Sequence, residues 1–385
     1  RRRRVFALLV LVFVVGLIWF SVDSIFRGNT TKTISEATIT GDGPHDLTES
    51  GANIYLPADG ASAIGVSKLG VVASNGIQTP VPIASIAKTI TTLVVLNKLA
   101  PNYGQAKGIE ITFDQNDVDI RIETIAENGA SQSVSAGLKM SLHDALSVMM
   151  LASANNYATS LAIKAFGSMD AYISEANKWL AANGMAQTSV ADASGLNPNT
   201  IGTASDLVTL GLIAMENQEV VDIVTSPEIT VDGVGTIQNG NPMFGVDGVD
   251  GIKLGSTFEA NNCLLYSKSI DVAGQEVRIV GVTLGLDEFS TIIEGAKQSL
   301  DQISGALEFK ELIPAGTKFG LISTTDDQQF EIVTTESYSS IYIPGITFIA
   351  TPSINIDSPI SPNSSVGELD VQLANSRSKV PLKTK

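Results

Sequence analysis

The stretch VPIASIAKTITTLVVLNKL, residues 81–99, decides the fold of this chain. Its apolar residues predict a buried helix over residues 85–99 that ends before Pro101, since proline cannot continue a helix. Lys88 follows Ser85 by one helical turn, so the two side chains lie on the same face. A lysine is rarely buried without a reason. This pair is therefore the first candidate for a catalytic centre.

Ser85 and Lys88 have the chemistry of a nucleophile and its base. A serine hydroxyl needs a base within hydrogen-bond reach in order to attack at neutral pH. The chain has only two histidines, His45 and His143, which leaves little material for a Ser-His-Asp arrangement. Lys88 can accept the proton only when it is neutral, and burial together with a second nearby cation would lower its pKa toward that form.

A second short motif, Ser153-Ala154-Asn155, begins 68 residues after Ser85. We expect Ser153 to relay the proton toward the leaving group. We expect Asn155 to offer its amide to the backbone of a peptide substrate. The alternative is an ordinary turn between two helices, because Ser and Asn are common in turns.

A third motif, Lys253-Leu254-Gly255, follows after another 100 residues. Lys253 would be the second cation, and Gly255 would let a substrate strand lie close to the edge of a sheet. The backbone N–H groups of Ser85 and Ser256 would form an oxyanion hole. Each motif also occurs elsewhere by chance, but only these three stand in this order within one domain.

Residues 51–309 alternate between strand-like and helix-like patterns and predict an α/β (α+β) domain. We expect a strand pair over 62–74 and helices over 141–151 and 155–166. A closing helix is expected over 292–309.

Three further predictions concern the strand of the third motif and the segments before and after residues 51–309. A strand is expected at 248–255, with 277–284 as its neighbour in the sheet. Residues 310–385 carry short strands between turn residues and predict a small all-β domain. Residues 28–50, rich in Thr, Ser, Gly and Asp, predict a linker.

Residues 1–27 predict a membrane anchor. Four arginines precede an apolar run of 18 residues, from Val5 to Val22, and about 20 are needed to span a bilayer as a helix. The positive charges favour a cytoplasmic N-terminus and an extracytoplasmic remainder. A cleaved signal peptide, which would release the rest as a secreted or periplasmic protein, is the alternative.

Composition limits the partners. Beyond residue 27 the chain has 19 Lys and Arg against 39 Asp and Glu, a balance of −20 that would repel nucleic acid. Cys263 is the only cysteine, so no disulfide can form within the chain, and its apolar neighbours predict a buried core residue. No cluster of His or Cys suggests a metal, and we expect no cofactor.

Longer stretches around the motifs resemble the D-alanyl-D-alanine carboxypeptidases, which are low-molecular-mass penicillin-binding proteins. Residues 82–89 resemble the nucleophile segment of that family, and residues 153–158 resemble its second motif, with Asn156 where Asp is usual. Residues 192–197 and 203–207 resemble a family stretch between the second and third motifs. Residues 249–255 resemble the third motif. The resemblance implies a penicillin-binding, transpeptidase-like domain with an antiparallel sheet and a helical cluster, followed by a β domain.

Position 254 departs from that pattern. The family normally has Thr there, and its hydroxyl is expected to help bind the terminal carboxylate of the substrate. Leu254 cannot donate a hydrogen bond. We expect Ser256 to offer a substitute hydroxyl and Arg278 to supply charge from the neighbouring strand.

The resemblance implies a membrane-tethered serine peptidase that removes the terminal D-alanine from peptidoglycan stem peptides and is acylated by β-lactams at Ser85. A β-lactamase would use the same motifs, but the stretches between them and the appended β domain argue against it. An endopeptidase that cuts cross-links differs only beyond the scissile bond. The last alternative is a pseudoenzyme that binds wall peptides, and Leu254 is the only feature that favours it.

Overall fold

The computed structural model describes residues 38–40, 43–51, 53–75, 78–324, 327–356 and 360–385. Within these ranges we find no helix that is both long enough and apolar enough to cross a membrane. The membrane segment predicted at 1–27 lies outside the described residues.

Most helices of the described chain form one group between the fourth and the ninth strands. The helices are α1 Ala87–Leu99, α2 Gln115–Ala126, α3 Leu142–Leu151, α4 Asn155–Phe166, α5 Met169–Ala182, α6 Ala204–Glu216, α7 Gln218–Val224 and α8 Phe289–Ala306.

The described strands belong to two large sheets and several small ones. The strands are β1 Thr38–Thr40, β2 His45–Asp46, β3 Ala61–Val66, β4 Gly70–Ser74, β5 Val81–Pro82, β6 Glu110–Thr112, β7 Lys139–Ser141, β8 Ile201–Gly202, β9 Glu228–Val231, β10 Gly235–Gln238, β11 Val249–Thr257, β12 Asn261–Val272, β13 Gln275–Leu286, β14 Glu308–Ile313, β15 Lys318–Ser323, β16 Gln329–Thr334, β17 Tyr338–Tyr342, β18 Phe348–Ile354, β19 Ser365–Leu373 and β20 Ser376–Thr384.

Several local predictions are confirmed. Strands β3 and β4 form the expected antiparallel pair. Ser141 begins α3 as an N-cap, since its side chain accepts a hydrogen bond from the backbone N–H of Asp144. Helix α4 has the predicted bounds. At Ser85 the backbone first makes a 3₁₀ turn over Ala84–Ile86, and the α-helix begins at Ala87, two residues later than predicted.

Helix α1 is buried on nearly all sides. From Ala87 to Leu96 every residue is buried, which is the expected environment for a helix that is apolar all round. It packs against α4, α5 and α6, and α6 lies against strands of the sheet. The start of α1, which carries Lys88, is thereby held inside the domain.

The first large sheet has five antiparallel strands in the order β11-β12-β13-β3-β4, so β11 lies at an edge. The predicted pairing of 248–255 with 277–284 is wrong, because β12 lies between β11 and β13. Residues 261–272 mix apolar residues with polar ones, so their strand pattern was less evident than that of 277–284. The consequence for Arg278 is described with the site.

The second large sheet has seven strands in the order β1-β15-β16-β20-β19-β18-β2. Both edge strands come from the segment predicted as a linker, which is therefore not a linker at residues 38–40 and 45–46. Strands β1 and β2 are close in sequence yet pair with opposite edges, and the His45 ring contacts the Phe319 ring of β15 at 5.1 Å between centroids. Strands β1 and β2 thus pair with β15 and β18, which would otherwise expose unpaired backbone groups at the edges of this sheet.

The predicted closing helix has the expected length but lies three residues earlier in the chain. Helix α8 ends at Ala306, and Glu308 begins β14, which pairs with β17. One buried cluster contains residues from β3, α8 and the C-terminal strands. A backbone hydrogen bond from Asn375 N to Leu69 O, 3.1 Å long, adds a polar contact between the two sheets.

Candidate active site

Ser85 lies in the 3₁₀ turn between β5 and α1, against the edge strand β11. Ala84, just before it, has a φ of +46°, in the left-handed region that non-glycine residues rarely adopt. A Cβ atom on Gly255 would lie 2.9 Å from the backbone nitrogen of Ser85. Gly255 therefore admits the backbone of the nucleophile itself, a role different from the substrate approach that we expected.

Lys88 is fully buried and its amine is held by three oxygens. The Nζ atom lies 2.8 Å from Ser85 Oγ, 2.7 Å from Asn155 Oδ1 and 2.9 Å from the backbone carbonyl of Ser194. The first and second motifs therefore meet at this amine.

Two buried lysines make the electrostatics of the site unusual. Burial, and then the charge of Lys253, hold the pKa of Lys88 well below its ordinary value of 10.5, against a smaller opposing effect of Asp192. Lys253 is only 4% exposed, and burial lowers its pKa to about 7. Its Nζ donates to the carbonyl oxygen of Leu254 at 3.1 Å.

A loop between the second and third motifs contacts Lys88 from the other side. Asp192 accepts five hydrogen bonds, from Ser194 N and Oγ, Gly195 N, Leu196 N and Thr200 Oγ1. This network presents the Ser194 carbonyl to Lys88. The sequence signals for this contribution were the turn-forming residues of 192–197 and their resemblance to a family stretch.

The second motif lies where α3 gives way to α4. Ser153 has a φ of +55°, a second left-handed residue beside the cleft. Asn156, 1% exposed, bonds the backbone of Gln132 twice: its Oδ1 accepts from the N–H and its Nδ2 donates to the carbonyl, each at 3.0 Å. Asn156 thus ties the 128–134 loop, one wall of the cleft, to the start of α4.

These elements surround a cleft of about 570 Å³. Of the predicted site residues, those that line it are Ser85, Ser153, Asn155, Lys253, Gly255 and Ser256. The β9–β10 hairpin and the segment after it form the opposite wall. Lys88 lies beneath the opening, behind Ser85.

Arg278 does not belong to this cleft. It lies on β13, two strands from the edge, and forms an ion pair with the carboxylate of Asp250. The expectation that it supplies charge from the strand next to the third motif is therefore wrong, because β12 occupies that place. Cys263 is buried as predicted, and burial raises the pKa of its thiol to about 12.

The described residues contain no group of three or more His, Cys, Asp or Glu side chains that could hold a metal ion. The polar side chains that line the cleft, together with the Lys88 amine behind Ser85, supply hydroxyls, amides and two amines.

Comparison with known proteins identifies the family to which this chain belongs. A D-alanyl-D-alanine carboxypeptidase family model matches residues 56–288, more than half of the chain. A D-alanyl-D-alanine endopeptidase from Pseudomonas aeruginosa is 28% identical over 212 residues, which cover 52% of this chain and 64% of that protein. The chain thus spans less than two thirds of the length of this curated relative.

Two solved structures share the fold. The D-alanyl-D-alanine carboxypeptidase DacD from Francisella tularensis superposes with a TM-score of 0.64 at 19% identity, over 86% of this chain and 94% of that chain. Penicillin binding protein 5 from Haemophilus influenzae gives 0.63 at 17% identity, over 86% and 97%. These likenesses confirm a mixed α/β penicillin-binding fold with antiparallel sheets and helices. The predicted resemblance is confirmed, and the chain belongs to the D-alanyl-D-alanine carboxypeptidase family.

Proposed function

We propose that this protein is a serine-type D-Ala-D-Ala carboxypeptidase that removes the terminal D-alanine from peptidoglycan stem peptides. The observation that carries the proposal is the position of Lys88 Nζ, fully buried and 2.8 Å from Ser85 Oγ. A buried amine that contacts no carboxylate favours its neutral form, and a neutral amine is a base.

The partners of Lys88 also orient its lone pair. A neutral amine has two N–H donors and one lone pair. Asn155 Oδ1 and the Ser194 carbonyl can only accept hydrogen bonds, so they take the two N–H groups. The lone pair then faces Ser85, whose hydroxyl donates its proton to it.

Acylation follows from this geometry. Lys88 takes the hydroxyl proton while Ser85 Oγ bonds to the carbonyl carbon of the penultimate D-alanine. Backbone N–H groups of Ser85 and Ser256 stabilise the oxyanion. The C–N bond then breaks, and the proton passes from Lys88 through Ser153 to the departing amine of the terminal D-alanine. Water attacks the remaining ester, with Lys88 again as base.

In this proposal the remaining motif residues bind the substrate. The free N–H of the Asn155 amide contacts the substrate backbone, and Lys253 supplies positive charge. A β-lactam presents a strained amide to the same hydroxyl, so it should acylate Ser85. Residues 51–309 form the catalytic domain in this proposal and 310–385 the β domain. The site faces the cell wall, with 1–27 as the membrane anchor.

The test is D-alanine release from a pentapeptide that ends in D-Ala-D-Ala. Ser85→Ala and Lys88→Arg should each lose activity by about 10³-fold or more, since alanine has no nucleophile and arginine, which is always charged, cannot accept a proton. Lys98→Arg makes the same chemical change at the exposed end of the same helix and should leave the rate unchanged. Release that persists in Ser85→Ala would refute the proposal.

A second candidate is the endopeptidase reaction, which the name of the Pseudomonas aeruginosa relative favours. It uses the same acyl-enzyme but releases a second peptide rather than D-alanine. Incubation with a purified cross-linked muropeptide dimer, followed by mass analysis of the products, separates the two reactions: monomers indicate endopeptidase activity, and dimers shortened by one D-alanine indicate carboxypeptidase activity.

A further inference from the structure

The edge strand β11 carries one extra residue just before the third motif. Between Val249 and Gly251 the chain advances two residues on β11 but only one on its partner β12. Asp250 is therefore the unpaired residue of a β-bulge. A shift of one residue in register moves every following side chain of a strand to the other face of the sheet.

The bulge separates residues that face opposite sides of this sheet. On β12, Leu264 belongs to the buried cluster that contains residues of α8, whereas Leu265 belongs to the one that contains residues of α1. Val249 belongs to the α8 cluster, but Lys253 lies opposite Leu265 and lines the cleft. Residues four apart on a regular strand share one face. The extra residue thus accounts for the change of face before Lys253.

Polar contacts to two neighbouring strands hold this bulge. The Asp250 carboxylate accepts a hydrogen bond from Ser267 Oγ of β12 at 2.5 Å and forms its ion pair with Arg278 of β13. Ser267 is fully buried, and the Arg278 side chain is only 16% exposed. Removing one partner of such a pair leaves a partly buried charge without compensation.

We infer that Asp250 and Arg278 are positioning residues that fix the β-bulge and thereby keep the Lys253 amine in the cleft. The consequence for catalysis rests on the proposed function, in which Lys253 supplies charge to the substrate site. Asp250 and Arg278 are not among the described residues that line the cleft, so they act through Lys253. Without their contact, β11 can slip toward the regular register, because an edge strand is paired on one side only.

Labelling of lysine amines shows where Lys253 lies and needs no turnover. The full chain is treated with acetic anhydride, and peptide mass analysis follows the acetylation of each lysine. Lys253 is 4% exposed, and Asp250→Ala and Arg278→Met should each raise its labelling rate by about tenfold or more through local opening. Lys88, which is fully buried on another element, should stay unlabelled.

Two further variants serve as controls. Arg278→Lys keeps a charged donor opposite Asp250 and should bring the labelling rate of Lys253 back to within about threefold of that in the unmodified chain. Lys318→Met removes a different cross-strand ion pair, with Glu331 in the C-terminal sheet, and should leave the labelling of Lys253 unchanged.

Acylation by a fluorescent penicillin, measured on the same proteins, should slow by about tenfold or more in Asp250→Ala and Arg278→Met, because Lys253 is displaced. Unchanged labelling of Lys253 in both variants would overturn the inference. Joint labelling of Lys88 and Lys253 would also overturn it, since the ion pair would then only stabilise the whole domain. Selective labelling of Lys253 in a chain that neither reacts with penicillin nor releases D-alanine would keep the positioning role and refute the proposed reaction.

Discussion

Gly195 is where the Asp192 loop meets the turn that carries the nucleophile, and replacing it with alanine tests whether this contact positions Ser85. Its φ is +79°, and an added Cβ would lie 1.8 Å from the Ala84 carbonyl oxygen. Real Cβ contacts are longer than 3.0 Å, so the two segments must separate by more than about 1 Å. The Asp192 carboxylate accepts five hydrogen bonds from its own loop and so holds the loop in place. The nucleophile turn is therefore expected to move.

Two costs add up in this variant. The left-handed backbone costs an alanine about 1–2 kcal/mol, and the overlap costs about 1–3 kcal/mol more. We expect the free energy of unfolding to fall by about 2–5 kcal/mol, and acylation to slow by about 10²-fold because the attacking oxygen is displaced.

Gly167→Ala is the matched control for the backbone cost. Gly167 has a φ of +86° and nothing within 4 Å of an added Cβ, so it should lose only about 1–2 kcal/mol and acylate normally. Urea unfolding and the rate of labelling by a fluorescent penicillin measure the two effects. Equal labelling rates for the two variants would refute the reasoning.

Three other predictions concern the lysine pair, the second motif and the edges of the C-terminal sheet. Lys253 has a folded pKa of about 7 and an ordinary value of 10.5, so between these values only the unfolded chain binds the proton, and the free energy of unfolding should rise with pH. In urea unfolding at pH 7.5, 8.5 and 9.5, this rise should be about 1 kcal/mol per pH unit for the unmodified chain and should be absent in Lys253→Met. Parallel pH profiles of the two proteins would contradict this. Asn156→Asp deletes the donor to the Gln132 carbonyl and should lower the free energy of unfolding by about 1–3 kcal/mol, which an unchanged urea midpoint would exclude. A protein that begins at residue 51 lacks both strands that close the C-terminal sheet and should aggregate at concentrations where one that begins at 38 stays monomeric by light scattering; equal solubility would show that these edges need no cover.

Local features of this fold could be read from the sequence, and long-range pairings were harder to read. The spacing of Ser85 and Lys88, and the cap at Ser141, depend only on neighbours within one helical turn. Strand β12 was missed as the neighbour of β11 because a polar run just past its middle, Ser267 to Ser269, breaks the apolar pattern. Strands β1 and β2 are too short to show any period.

In the candidate site, too, local motifs could be read from the sequence, whereas contacts between distant segments could not. The motif residues were identified because each type has a chemical use at its position. Asp192 was not identified, because its carboxylate accepts hydrogen bonds from backbone N–H groups and hydroxyls of its own loop and contacts none of the three motifs. Arg278 was assigned to the site from a strand order that the structure corrects. The hydrogen bonds between Asn156 and the Gln132 backbone could not be predicted, because only the folded chain brings the 128–134 loop next to the start of α4.

The placement of Asp192 is compatible with the role of base that we propose for Lys88. A carboxylate in direct contact with Lys88 would raise its pKa and keep the amine charged. Here the five hydrogen bonds of Asp192 go to its own loop, and Lys88 receives the Ser194 carbonyl instead. The Asp192 charge still raises the pKa of Lys88, but burial and Lys253 outweigh it. The loop therefore uses a carboxylate to fix geometry while presenting only neutral oxygen atoms to the base.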